Sequence, residues 1–177
     1  MKIVLFRGYR GSGKTWALTC VTRALVEAKC GKVGTIKGIH ERSFTIDSKG
    51  KDTWLHSSAG ASIVAAFAPN EVDIIKRGNT TSSSLTELLG IFEKSKIDFL
   101  LVEGLHRKFE DWNQTEVVIC ARTEQEARRL VRKNRGNILF VTGKFAKHYG
   151  EGRIGHSPVL SLPRDVDSAL DLISGNH

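Results

Sequence analysis

The chain has 177 residues, 40% of them hydrophobic and 26% charged, the proportions of a soluble globular protein with a sizeable core. No apolar run reaches the roughly 18–20 residues of a membrane span, which excludes an integral helical membrane protein. The formal net charge of +8 suits a polyphosphate ligand and also nucleic acid, but the arginines form no long run and no nucleic-acid module pattern appears.

Lys2-Ile3-Val4-Leu5-Phe6 is an apolar run of strand length, and the start Met1-Lys2-Ile3 leads straight into it, so no signal peptide is expected. Gly8-Tyr9-Arg10-Gly11-Ser12-Gly13-Lys14-Thr15 follows and fits G-x-x-x-x-G-K-[ST], the phosphate-binding loop. The stretch from Trp16 to Lys29 reads as a helix with Leu18, Val21, Leu25 and Ala28 on one face, stopped by Gly31. The motif thus lies between a buried strand and a helix start. Glycines let successive N–H groups curl around a phosphate, and the helix N-terminus adds donors and partial positive charge. Lys14 is placed for the terminal phosphates and the Thr15 hydroxyl for magnesium.

Lys32–Lys37 reads as a second strand. Gly38–Lys51 is a long polar loop, with a short strand expected at Phe44-Thr45-Ile46. Loops of this length in compact domains usually carry function. Asp52–Ala59 reads as a short helix capped by Asp52 and stopped by Gly60. Ser62–Phe67 and Val72–Lys76 are strands separated by Pro69-Asn70, expected to pair antiparallel. Leu85–Lys94 is a helix with Leu85, Leu88, Leu89 and Phe92 inward. Asp98–Val102 is an uninterrupted apolar strand of the doubly buried kind and ends in Glu103-Gly104. Leu105–Gln114 reads as an irregular charged loop, Glu116–Ala121 as a strand, and Thr123 to about Lys133 as a helix. That helix begins with Glu124 and Glu126 and ends in the basic patch Arg128–Arg135, an order that complements its dipole. A solvated helix end, a phosphate-contacting lid and an RNA-contacting face are the readings open for that patch. Asn137–Thr142 is the next strand, Gly143–Ser157 a polar loop, and Pro158–Leu162 a strand-like piece. A last helix is expected to open at Pro163 or its neighbour, with Val166, Ala169, Leu170 and Ile173 inward.

Strands alternating with helices indicate a three-layer α/β sandwich with a mainly parallel sheet, the P-loop NTPase fold, as a single nucleotide-binding domain over residues 1–177. Ligands in such folds bind beyond the carboxyl ends of the strands. The phosphate loop, Lys37, Glu103 and Thr142 lie at or just past such ends. Glu103 occupies the position of the second metal-associated acid, so Thr15 and Glu103 are the magnesium ligands expected. Asp47 and Asp52 flank Gly50-Lys51; an acid there could orient magnesium or a water, and Lys51 could meet a phosphate. The nucleotide-binding set is therefore Gly8, Arg10, Gly11, Ser12, Gly13, Lys14, Thr15, Trp16, Lys37, Lys51 and Asp52, and the catalytic set Lys14, Glu103 and Asp47.

His40, His56, His106 and His148 show no metal-ligand spacing. Cys20, Cys30 and Cys120 also lack it and read as buried, reduced thiols of a cytosolic protein. Trp54 and Trp112 lie in polar stretches and could stack on a ring, though packing on the sheet edge is the expectation for Trp54. After Val141 comes Thr142-Gly143-Lys144-Phe145. This has the lysine but not the aspartate of the N-K-x-D guanine pattern, so the residues leave guanine and adenine both open.

The phosphate loop, Thr35-Ile36-Lys37, Asp47-Ser48-Lys49-Gly50-Lys51-Asp52-Thr53, His56, Ala59-Gly60-Ala61 and Leu101-Val102-Glu103-Gly104 resemble, in order and spacing, the molybdopterin-guanine dinucleotide biosynthesis protein B family (MobB). The resemblance covers about the first 105 residues. It implies a GTP-binding accessory protein in molybdenum or tungsten cofactor maturation that assists the guanylyltransferase attaching GMP to a molybdopterin-type cofactor. It also implies slow Mg2+-dependent GTP hydrolysis and a cytoplasmic homodimer. One departure stands out: where the family usually has K-H-x-x-H, this chain has Lys37-Gly38-Ile39-His40. The alternatives are a small-molecule kinase with the basic helix as lid, and a nucleic-acid-binding protein that uses nucleotide as a switch.

Overall fold

Five apolar runs become the strands of one parallel sheet: β1 (Lys2–Arg7), β2 (Val33–Lys37), β5 (Phe99–Glu103), β6 (Thr115–Ala121) and β7 (Asn137–Gly143), in the order β2-β5-β1-β6-β7. The computed structural model describes residues 1–109, 115–150 and 152–175. It divides into two compact units, one formed by Met1–Gly38 with Leu89–His177 and the other by Ile39–Leu88.

The sheet belongs to the first unit. Its central position explains why β5 lacks alternation: with β1 and β2 on either side and helices on the faces, all five of its residues are buried. Helix α1 (Lys14–Glu27) buries Ala17, Val21 and Leu25 against Val4, Phe6, Val118 and Phe140. The last helix, α6 (Val166–Ser174), adds Ala169 and Ile173 to the same layer. The stripe expected on α1 is correct at Val21 and Leu25, but Ala28 is exposed and Ala17 takes the inward place. From β1 the chain goes to the edge strand β2, returns to β5 between the two, then crosses to β6 and β7 on the other side of β1, so the strand order reverses beside the end of β1 where the phosphate loop begins.

The second unit holds a helix, α2 (Asp52–Ser58), and an antiparallel hairpin, β3 (Ile63–Phe67) with β4 (Val72–Lys76), pairing Phe67 with Val72 and Ala65 with Ile74. Asp52 is not the cap expected: Lys51 holds the N-cap position without a side-chain hydrogen bond, and Asp52 sits in the first turn, where a carboxylate favours the helix dipole. The helix α3 (Ser82–Lys94) runs across the boundary between the units and starts three residues before Leu85, within the serine run.

Several expected loops and element boundaries also need correction. Phe44–Ile46 forms no strand; the Thr45 hydroxyl instead accepts from the Asp47 N–H at 3.1 Å, a local turn that competes with extended pairing. The segment from Leu105 holds a short helix, α4 (His106–Phe109), with Phe109 buried; the rest of that expected loop, residues 110–114 with Trp112, lies outside the described residues. Gly143–Ser157 is structured by a 3-10 helix (Lys144–His148) and the two-residue strands β8 (Arg153–Ile154) and β9 (Ser157–Pro158). The last helix starts at Val166 rather than at Pro163, because Asp165 turns back to accept from the Ser161 N–H at 2.7 Å. The basic helix, α5 (Glu124–Lys133), forms as read: Thr123 caps it by accepting from Glu126 N–H at 3.2 Å, and Arg128 pairs with Glu124.

Candidate functional site

The phosphate loop leaves β1 through Gly8. A Cβ there would lie 2.2 Å from the Cys120 carbonyl oxygen and 2.5 Å from Ser12 Oγ, so only glycine lets the loop cross β6 this closely. Gly11 and Gly13 adopt φ of 76° and 92°, which turns their neighbouring N–H groups toward the space above the start of α1. Ser12 is buried beneath the loop, and its hydroxyl has no hydrogen-bond partner among the described residues. Lys14 folds back and donates from Nζ to the Tyr9 carbonyl at 2.9 Å, spanning the concavity with a cation. Beneath it Cys120 is fully buried; burial pushes its thiol up to about 12, with Lys14 pulling it down and Glu103 raising it further, so this sulfur stays protonated and inert. Cys20 and Cys30 are only half-buried, a correction to the expectation that all the cysteines are core.

The parallel register brings the remaining residues to the loop. Phe6 on β1 and Lys37 on β2 both stand opposite Glu103 on β5. The Glu103 side chain is 7% exposed and has two side-chain partners among the described residues. Lys37 Nζ pairs with Oε1, and the Thr15 hydroxyl donates to Oε2 at 2.9 Å. A buried carboxylate is tolerable only when paired and hydrogen-bonded, and here both conditions are met. Residues 15, 37 and 103 thus meet at one point of the sheet edge, where the strand ends of Lys37 and Glu103 place them.

The departure at Gly38 has a local cause. Gly38 N–H donates to the Glu103 carbonyl at 2.6 Å, and a Cβ at position 38 would meet Leu105 Cγ at 2.6 Å and the Gly104 carbonyl carbon at 2.8 Å. The two backbones touch, which leaves no room for a side chain as large as histidine.

Asp47, Lys51 and Asp52 belong to the second unit. Asp47 is held there, with Oδ1 accepting from Thr53 Oγ1 at 2.8 Å and Oδ2 pairing with Arg77 at 2.9 Å. Lys51 and Asp52 are exposed, Trp54 is half-buried on α2, and His40, His56 and His148 are exposed. Trp16, by contrast, stands 58% exposed at the first turn of α1.

The donor set fits a nucleoside triphosphate with magnesium. Magnesium takes one or two carboxylates and completes its shell with phosphate oxygens and water, so it needs no protein cage. Thr15 and Glu103 supply one hydroxyl and one carboxylate side by side, and no group of three or more His, Cys, Asp or Glu residues forms a cage among the described residues. No described helix is long and apolar enough to cross a membrane.

Comparison with known proteins bears on the family and the fold. The chain is 35% identical over 101 residues to a molybdopterin-guanine dinucleotide biosynthesis adapter protein of Haemophilus influenzae, covering 57% of this chain and 55% of that one. It is 26% identical over 119 residues to a putative adapter of the same name from Methanocaldococcus jannaschii, covering 67% and 47%. The chain thus spans about half the length of these relatives. In structure it resembles MobB of Bacillus subtilis, with a TM-score of 0.73 at 21% identity over 99% of this chain and 100% of that one. It also resembles a MobB homologue of Bacillus stearothermophilus, with a TM-score of 0.67 at 22% identity over 99% and 97%. These likenesses establish the α/β fold. The family model described as molybdopterin guanine dinucleotide synthesis protein B matches residues 3–143, most of the chain, and the chain belongs to the MobB family.

Proposed function

We propose that this chain binds GTP with magnesium at the loop after β1, hydrolyses it slowly, and acts as an adapter for the enzyme that attaches GMP to molybdopterin. The observation that carries the reading is the meeting of Thr15, Lys37 and Glu103 beside a phosphate loop whose glycines hold left-handed backbone. In the nucleotide complex the Lys14 ammonium exchanges the Tyr9 carbonyl for phosphate oxygens, and the α1 N-terminus contributes its free N–H groups. Thr15 and Glu103 would hold magnesium, directly or through water, and Lys37 balances the charge of Glu103 whenever the metal leaves. The bound ion supplies charge neutralisation on the phosphate oxygens during transfer.

Calorimetric titration with GTP and ATP, each with and without magnesium, tests this. GTP is expected to bind more tightly than ATP, and more tightly with magnesium than without. Equal affinities would remove the guanine assignment, and the absence of any triphosphate binding would remove the site. Phosphorylation of a small-molecule acceptor would favour a kinase instead.

We also propose a homodimer, through the second unit. On the β3–β4 hairpin, Ile63, Phe67, Val72 and Ile74 share one face and are 57%, 89%, 57% and 62% exposed. A lone two-stranded hairpin is marginal in water, and an apolar face of this kind is stabilised by an identical face from a second copy. Light scattering at micromolar concentration is expected to give twice the 19.6 kDa of the chain, and Phe67→Lys is expected to shift the mass toward the monomer. A wild-type monomer with and without nucleotide refutes the proposal.

A further inference from the structure

Beside the phosphate loop, on the β7 side, lies a cleft of about 230 Å³ that none of the phosphate-binding groups fills. Its rim is Gly13, so it is continuous with the loop. Trp16 and Ala17 of α1 and Leu162 give it apolar walls, and Thr142, Lys144 and Lys147 give it polar groups. Apolar walls with a few placed polar groups are the usual make-up of a small-molecule subsite. The exposed Trp16 indole offers a flat face for stacking, which tolerates any base.

Two of the three polar side chains are ammonium groups, and the third, on Thr142, is a hydroxyl. Lys144 and Lys147 stand three apart on a 3-10 helix, where side chains at that spacing eclipse and leave from one edge. The residues between and after them fix that edge: Ala146 is buried, and the Phe145 and Tyr149 rings meet edge-on with centroids 5.4 Å apart. Gly143 locks the turn from behind, since a Cβ there would lie 2.2 Å from the Ala121 carbonyl oxygen and 2.8 Å from that of Ser12. None of the described residues lining the cleft is acidic.

An ammonium group only donates hydrogen bonds. Guanine presents two acceptors, O6 and N7, along one edge, whereas adenine presents N7 beside a donating N6 amino group. The donating N1–H and 2-amino groups of guanine lie away from that pair, and no carboxylate among the described residues lining the cleft accepts from them. We propose that the cleft takes the purine of the bound nucleotide and that Lys144 and Lys147 select guanine by its O6/N7 edge, with Trp16 against the ring. This rests on the triphosphate reading above and replaces the missing aspartate of N-K-x-D with a different edge of the base.

The two modes of reading separate experimentally. Inosine triphosphate keeps O6 and N7 but has no 2-amino group; 7-deaza-GTP keeps the amino group but has no N7. In magnesium-containing calorimetry on the wild-type chain, ITP is expected within about twofold of GTP, and 7-deaza-GTP and ATP weaker by about tenfold. The double variant Lys144→Met and Lys147→Met is expected to weaken GTP by about tenfold while inorganic tripolyphosphate changes less than about twofold. Several outcomes overturn the proposal while leaving the phosphate site intact: ITP much weaker than GTP, 7-deaza-GTP as tight as GTP, ATP as tight as GTP, or full GTP affinity in the double variant. Equal losses of GTP and tripolyphosphate would show that the lysines contribute charge alone, and would also overturn it. Failure of the wild-type chain to bind either GTP or tripolyphosphate would defeat the phosphate-loop reading and this inference together.

Discussion

Lys14→Ala is expected to lower triphosphate affinity by about 30- to 150-fold, the equivalent of roughly 2–3 kcal/mol for a lost charge-assisted contact. The fold should be unaffected. Among the described residues the Lys14 ammonium donates to the Tyr9 carbonyl, which also accepts from the Ser12 N–H at 3.2 Å and so keeps a partner when the side chain is removed. The α1 face that Lys14 precedes is anchored by Ala17, Val21 and Leu25, which the substitution does not touch. Circular dichroism melts set beside calorimetric titration separate the two effects. Unchanged affinity in a normally folded variant would show that the lysine is an ordinary loop cation.

Glu103→Gln is expected to slow magnesium-dependent hydrolysis by more than tenfold, or about 1.4 kcal/mol of barrier, while nucleotide affinity falls much less. The amide keeps the volume in a site where the side chain is 7% exposed, and its oxygen can still accept from Thr15. What disappears is the charge that would hold the ion or its water. Folding should survive because Lys37, the partner left behind, is 54% exposed and can take its ammonium to solvent. Losing one member of a pair is costly when the remaining charge is buried, and here it is not. Single-turnover hydrolysis with a parallel binding isotherm gives the comparison. A rate within about twofold of wild type would reduce Glu103 to a structural carboxylate.

Much of this architecture is written in the chain in local terms. The run Lys2–Phe6, the glycine spacing from Gly8 to Gly13 and the helical stripe holding Val21 and Leu25 each report on neighbouring residues, and each appears where the spacing places it. The unbroken apolar run before Glu103 predicts a doubly covered strand, and β5 is buried throughout. Short or irregular pieces escape such reading. The 3-10 turn at Lys144–His148 and the two-residue strands β8 and β9 are too brief to show a period, so their segment reads as a polar loop. The asparagine, threonine and serine chemistry that marks loops cannot distinguish a turn from a short strand, which is why Phe44–Ile46 was expected to extend and instead closes on Asp47.

By itself the sequence determined the phosphate loop, its seat between strand and helix, the alternating α/β order and the acid at the end of the apolar strand, because all of these depend on residues near one another in the chain. Strand-end positions already group Lys37, Glu103 and the phosphate loop; the tertiary structure decided the contacts among them. The β2-β5 register sets Lys37 against Glu103, the start of α1 brings the Thr15 hydroxyl to both Glu103 oxygens, and the backbone contact between Gly38 and Gly104 closes the place where the family usually carries a histidine. It also placed Trp16, Lys144 and Lys147 around one cleft. Strand register and the close approach of separate backbones are set by packing over the whole sheet, and no local pattern of residues encodes them.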